Sequence, residues 1–249
     1  MNIEKLQTGI EGFDLIANGG LPKGRSTLVT GTAGSAKTVF AVQFLAAGIV
    51  TRDEPGVFVT FEEHPDDIRK NLVSLGWNIE EWEEEGKWTF VDGSPLQEEE
   101  TVVIGNYDLG GLLARVESAI NKIKAKRIAF DSLGAIFNIL QNSAVLRGEL
   151  LRIANAMKKI GITSVLTAER TNEYGQIARF GIEEFVADNV IILRNVLEEE
   201  KRRRTIEILK FRGTSHQKGE FPFTIINQKG ILVIPLSAIQ LKQDRKSVV

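Results

Sequence analysis

The stretch Ser26-Thr27-Leu28-Val29-Thr30-Gly31, continuing as Thr32-Ala33-Gly34-Ser35-Ala36-Lys37-Thr38, decides the fold. Its first six residues are apolar or β-branched and read as a buried strand. From Gly31 onward the spacing is that of a phosphate loop, G-x-x-x-x-G-K-[ST], with alanine at the sixth position. Lys37 to Val50 then reads as a helix. Strand, loop and helix in that order separate a phosphate loop from a chance glycine-rich turn. In such a loop, successive backbone N–H groups face phosphate oxygens above a helix N-terminus. The lysine supplies a point charge at the β- and γ-phosphates, and the threonine hydroxyl ligates Mg²⁺. ATP and Mg²⁺ are therefore the expected ligands. Ala36 replaces the pattern's glycine. It is compatible with the loop if its φ is negative and nearly helical, as expected just before a helix, and incompatible if φ is positive.

Working outward, short apolar runs alternate with helical patterns. Gly56–Phe61 (GVFVTF), Trp88–Asp92, Arg127–Asp131 (RIAFD) and Thr163–Ala168 read as strands. Pro65–Leu75, Leu109–Lys124 and Leu146–Ile160 read as helices; in the second, Leu109, Leu112, Leu113, Val116, Ile120 and Ile123 fall at helical spacing. This alternation predicts βαβ units and a mostly parallel twisted sheet flanked by helices. After about Asp188 the helices stop. Val190–Val196, Thr205–Phe211, Phe221–Ile226 and Ile231–Leu236 predict a C-terminal antiparallel extension. The fold class is α/β, with one domain over residues 1–240. Residues 241–249 (LKQDRKSVV) read as a polar tail or the start of a linker. Glu80–Glu85 and Glu98–Glu100 read as solvated acidic clusters.

Composition narrows the chemistry. The 249 residues include no cysteine and two histidines, which excludes disulfides, thiolate metal sites and a histidine-rich zinc site. The formal net charge of −2 gives no global attraction to nucleic acid. No apolar run approaches a membrane span and the N-terminus lacks a signal-peptide core, so no membrane partner and a cytoplasmic location are expected.

Ligands of such sheets bind at the carboxyl ends of the strands. Three predicted strands end informatively: at Gly31, at Glu62-Glu63 and at Asp131. Asp131 is the expected partner of Thr38 in placing Mg²⁺, with a helix cap as the plainer alternative. Glu62 and Glu63 are adjacent, so only one can face a nucleotide and orient the attacking water. The choice between them, or a solvated pair capping the helix at Pro65, stays open. Lys210, Arg212, Thr214 and His216 fall at period two after Ile206 and Ile208, which puts them on one face if the strand continues. That face would suit an anion, or it would be a charged edge strand.

These segments resemble the N-terminal ATPase domain of the circadian clock family KaiC, within the RecA-like P-loop superfamily. The resemblance is carried by GGLPKGRSTLVTGTAGSAKT, PGVFVTFEEHPDDI, EEFVADNVIILRNVLEEEKRRRTIEILKFRGTSH and KGEFPFTI, and runs from Gly9 through Leu236. It implies a homohexameric ring with ATP between subunits, slow hydrolysis that times the clock, and binding of a KaiB-type partner. It implies phosphate contacts from Gly34, Ser35, Ala36, Lys37, Thr38 and Val39, and a nucleotide-proximal Ser74. It makes Glu62 and Glu63 the catalytic glutamates. It further implies that Lys210, Phe211, Arg212, Thr214 and His216 reach the neighbouring subunit's ATP, with Arg212 catalytic. Asn227 is a further contact, although Ile226 beside it departs from the expected threonine. The resemblance also implies that the family's kinase activity belongs to a second domain, which is not expected in this chain. Two other readings compete: a recombinase- or helicase-like DNA-dependent ATPase, and a nucleotide-gated scaffold with negligible hydrolysis.

Overall fold

The computed structural model describes residues 3–94, 108–139, 143–176 and 187–235. The Glu98–Glu100 cluster and the 241–249 tail lie outside the described residues. A two-stranded sheet pairs β1 (Lys5–Leu6) with β2 (Leu21–Pro22) around the short α1 (Phe13–Ile16). Among the described residues the main sheet has nine strands. They are β3 (Ser26–Gly31), β4 (Gly56–Thr60), β5 (Trp88–Asp92), β6 (Arg127–Asp131), β7 (Thr163–Glu169), β8 (Asn189–Glu198), β9 (Lys201–Phe211), β10 (Glu220–Ile226) and β11 (Gly230–Val233). The helices between them are α2 (Lys37–Arg52), α3 (Pro65–Val73), α4 (Ile79–Glu84), α5 (Leu109–Ile123), α6 (Gly134–Ile139) and α7 (Ser143–Ile160).

Across the sheet the order is β11-β10-β9-β8-β3-β7-β6-β4-β5. Strands β8 through β5 in that order run parallel, as the alternation predicts. The antiparallel extension starts one strand later than expected. β8 still pairs with β3 in parallel, and only β9 reverses.

Period two sorts the strand residues onto two cores. Val29, Phe58, Ala129, Val165 and Ile191 pack with Phe40, Phe44 and Leu45 of α2. Leu28, Val57, Val59, Ile128, Phe130 and Leu166 pack with Leu112, Val116 and Ile120 of α5 and with Leu146, Leu150 and Met157 of α7. Both faces of the central strands are thus covered, which is why these strands read as continuous apolar runs. At the far edge, Trp88 stacks on Phe58 at 5.8 Å and meets Phe90 edge-on at 5.5 Å. The unpredicted α4 covers this edge. Asn78 caps it by accepting from Glu81 N at 3.4 Å. Within the Glu80–Glu85 cluster, Glu83 is not simply solvated: it takes both Nε and Nη2 of Arg69, at 2.6 and 2.8 Å.

Two side chains fix the phosphate-bearing helix from below. The Gln43 amide donates to Gly9 O at 2.9 Å and accepts from Ile231 N at 2.7 Å, joining α2 to the N-terminal segment and to β11. Arg127, fully buried, donates to Gln7 O, Phe44 O and Glu54, at 2.7, 2.9 and 2.9 Å. A buried guanidinium is tolerable only with such partners.

Candidate functional site: a phosphate loop and its carboxylates

The phosphate loop leaves the carboxyl end of β3, at the sheet's centre, and enters α2. Gly31 has no substitute, because a Cβ there would lie 2.2 Å from Ser35 Oγ and 2.5 Å from Leu193 O. Gly34 supplies a left-handed turn at φ 73°. Ala36 departs from the near-helical geometry expected for it. It caps α2 in the left-handed region at φ 75° and ψ 30°. A non-glycine residue there costs about 1–2 kcal/mol. The helix forms regardless because α2 buries Phe40, Phe44, Leu45 and Ile49, each such residue worth roughly 1.5–3 kcal/mol. Ala36→Gly therefore relieves strain and stabilises the chain by about 0.5–1 kcal/mol, after allowing for the freer unfolded glycine. Chemical denaturation reads this directly, and a loss of stability would contradict it.

Lys37 donates to Gly31 O at 3.0 Å and to Thr32 O at 2.9 Å, so its ammonium lies folded into the loop. Burial lowers its pKa, opposed by the charges of Glu169, Asp131, Glu62 and Glu173. Thr38 Oγ1 donates to Asp131 Oδ2 at 2.8 Å. The other Asp131 oxygen accepts from the Thr167 hydroxyl. Asp131 is 8% exposed, and burial raises its pKa against the pull of those two hydroxyls and Lys37. It does not cap α6; Ser132 Oγ takes the Gly134 amide instead, at 3.2 Å.

The two glutamates part company. Glu62 turns toward the loop: its pKa is raised by burial and then by Glu169 and Asp131, while Lys37 lowers it. Glu63 faces α3, where its carboxylate accepts from Asn71 Nδ2 at 2.7 Å. The cap of α3 is His64, which accepts from Asp66 N at 3.3 Å.

Ser35 is fully buried and its hydroxyl lacks a hydrogen-bond partner. An orphaned hydroxyl within a phosphate loop suits an anionic oxygen ligand. Among the described residues, no three His, Cys, Asp or Glu side chains gather as a metal cage. Thr38 and Asp131 alone suit Mg²⁺, which takes one or two protein oxygens and completes its shell with phosphates and water. Val39 packs against the core beneath the loop.

Ser74 ends α3, and its carbonyl accepts from Gln228 N at 3.1 Å. Asn227 precedes Gln228 in the β10–β11 turn, so these two expected contacts flank the same hydrogen bond. The Lys210 to His216 face is corrected. Lys210 pairs with Val190 but Ile208 with Ile191, leaving Leu209 as an extra residue. This bulge flips the alternation. Phe211 joins Ile206 and Ile208 in the core, and Lys210 turns the other way to donate to Ala187 O at 2.9 Å. The strand ends at Phe211. Arg212, Thr214 and His216 follow in a turn, with Arg212 ion-paired to Asp188 at 3.2 Å and the His216 ring 5.4 Å from Phe211. Burial lowers the His216 pKa. Phe211 stands level with Thr27, roughly 13 Å below Gly31 along the strand. The segment therefore lies at the opposite end of the sheet from its own chain's loop.

Sequence reasoning missed Glu169 and Thr167. Glu169 pairs with Gly31 at the end of β7 and, of the surrounding carboxylates, acts most strongly on Lys37. It ends a predicted strand, so the rule that found Glu62 and Asp131 also reaches it. Arg204 on β9 also reaches the loop: its Nε donates to Gly34 O at 3.2 Å.

A mostly parallel sheet with a phosphate loop at its centre, and a buried strand-end aspartate on the loop's threonine, defines a RecA-like P-loop nucleotide-binding protein. Residues 6–238 match the family described as ATPase: KaiC. The chain is 63% identical over 246 residues to the circadian clock protein KaiC3 of Synechocystis sp., covering 99% of this chain and 48% of that protein. It is 55% identical over 248 residues to the circadian clock oscillator protein KaiC of Prochlorococcus marinus, covering 100% and 49%, and 55% identical over 246 residues to that of Synechococcus elongatus, covering 99% and 47%. The chain belongs to the KaiC ATPase family. It spans about half the length of the curated relatives it matches. Among the described residues, no helix is long and apolar enough to cross a membrane.

Proposed function

We propose that this chain is an ATP-binding and ATP-hydrolysing domain of a circadian clock protein. The observation that carries the reading is the convergence of Lys37, Thr38, Asp131 and Glu62 at the carboxyl ends of β3, β6 and β4, beside the phosphate loop. Lys37 exchanges its two backbone carbonyls for the β- and γ-phosphates. The loop amides and Ser35 Oγ hold the remaining phosphate oxygens. Thr38 and Asp131 would hold Mg²⁺, which would supply neutralisation of the developing phosphate charge. Glu62 accepts a hydrogen bond from the attacking water and orients it in line with the γ-phosphate. Burial of Asp131 behind Thr38 and Thr167 fixes its carboxylate without further reorganisation.

Family resemblance extends the reading to a homohexameric ring. Lys210 and Arg212 of one subunit would neutralise charge on the γ-phosphate held by the next, with Phe211, Thr214, His216, Ser74 and Asn227 as further contacts. The placement of the Lys210 to His216 segment far from its own loop supports action between subunits. Slow hydrolysis would then time the binding of a KaiB-type partner, in the cytoplasm. Phosphate release from purified chain with Mg²⁺ and ATP tests the activity. Release no faster than from a Glu62→Gln/Glu63→Gln control would sink it and leave the scaffold reading.

A further inference from the structure

The loop after β7 carries a side chain that none of these roles uses. The Glu173 carboxylate accepts from Thr32 Oγ1 at 2.6 Å and from Asn195 N at 3.0 Å. Thr32 is the phosphate-loop residue whose carbonyl accepts from both Lys37 Nζ, at 2.9 Å, and Ser35 N, at 3.3 Å. One carboxylate therefore ties the start of the phosphate loop to β8. Its own backbone is anchored in turn: Arg194 Nε donates to Glu173 O at 3.1 Å. Arg194 is 6% exposed, bonded to Glu207 at 2.6 Å, and stacked 5.0 Å over the Tyr174 ring. The chain of contacts runs from the β8–β9 pair through Arg194 and Glu173 to Thr32.

A carboxylate beside a phosphate site is electrostatically adverse to an anionic ligand. Its place there is explained by geometry. A glycine-containing loop that must present its amides in one arrangement loses affinity if it has to order itself on binding. We propose that Glu173 is a positioning residue of the phosphate loop, holding Thr32 against β8 so that the loop is arranged for a triphosphate before one arrives. This rests on the ATP-binding reading above.

Amide hydrogen exchange on the nucleotide-free chain, together with titration by ATP and Mg²⁺, tests the proposal. Glu173→Ala speeds exchange across Thr32–Thr38 while β3 and β7 stay protected, and it weakens ATP binding roughly tenfold. Glu173→Gln can still accept from Asn195 N and bond the Thr32 hydroxyl, so it restores both readouts. Thr32→Val cuts the other end of the tether and reproduces the alanine variant, and the double variant adds no further loss. Unchanged exchange in Glu173→Ala overturns the proposal. So do additive losses, or a glutamine variant as weak as alanine. A wild-type chain that binds no ATP would overturn the function proposed above, while the exchange data still decide whether the tether exists.

Discussion

Glu62→Gln lowers ATP turnover by roughly 10²–10⁴-fold, whereas Glu63→Gln leaves most of it intact. The two side chains are neighbours in sequence and differ in surroundings. Glu62 shares its field with Lys37, Asp131 and Glu169, at the mouth of the phosphate loop. Glu63 is spent on Asn71 at 2.7 Å, on the α3 side. In the proposed mechanism Glu62 is therefore the glutamate that orients the water. Burial, Glu169 and Asp131 raise its pKa above the ordinary 4.5. A base must be ionised to act, so turnover falls as pH drops through that raised value. The acid limb of the rate profile lies above the usual glutamate range, and Glu62→Gln flattens it. Stability carries the opposite sign. A carboxylate whose folded pKa is raised binds its proton more tightly in the folded state, so folding loses stability as pH rises through that value. Glu62→Gln therefore raises the melting temperature at neutral pH while removing activity. Equal losses from both substitutions, or a lower melting temperature for Glu62→Gln, would contradict the assignment.

Arg212→Ala in assembled rings lowers phosphate release by roughly 10³–10⁵-fold without changing ring mass. Arg212 lies in the turn after β9, level with the amino end of β3, and cannot reach its own loop. Its tie to Asp188 is open at the arginine, whose side chain is 61% accessible, while the aspartate is 14% accessible. A pair open to water on the arginine side contributes about 1 kcal/mol, so the substitution leaves the fold intact. A mixing experiment separates action within and between subunits. Arg212→Ala chains keep Glu62, and Glu62→Gln chains keep Arg212, so each alone is inactive. In rings assembled from both, about a quarter of the interfaces join an intact Glu62 to an intact neighbouring Arg212 if mixing is random. Activity reappears in proportion. No recovery, or normal turnover in rings of Arg212→Ala alone, would exclude the role between subunits.

The local chemistry of this site was readable because each part obeys a short-range rule. A β-branched run must be a strand, and a glycine-spaced turn before Lys37-Thr38 must expose its amides. A carboxylate ending a strand must lie at the sheet's carboxyl edge, as Asp131 and Glu62 do. What escaped such rules depends on single-residue geometry or on distant partners. Leu209 is an ordinary strand residue, and nothing in its identity announces the bulge that turns Lys210 away from Ile206 and Ile208. Ala36 gives no local sign of φ 75°, because the burial of α2 imposes that conformation. Glu169 obeys the same strand-end rule as Asp131 and Glu62.

The sequence alone determined the α/β alternation, the phosphate loop and its lysine and threonine, and the candidate carboxylates. These follow from periodicity and from backbone chemistry that reaches only a few residues along the chain. Tertiary structure alone decided which glutamate faces the loop and that Thr167 and Thr38 share Asp131. It also tied Glu173 to Thr32 across 141 positions of sequence, and sent the Lys210 to His216 segment to the far end of the sheet. Those outcomes depend on strand order and register, which are set by how two apolar cores close over both faces of one sheet and leave no trace in any short stretch of residues.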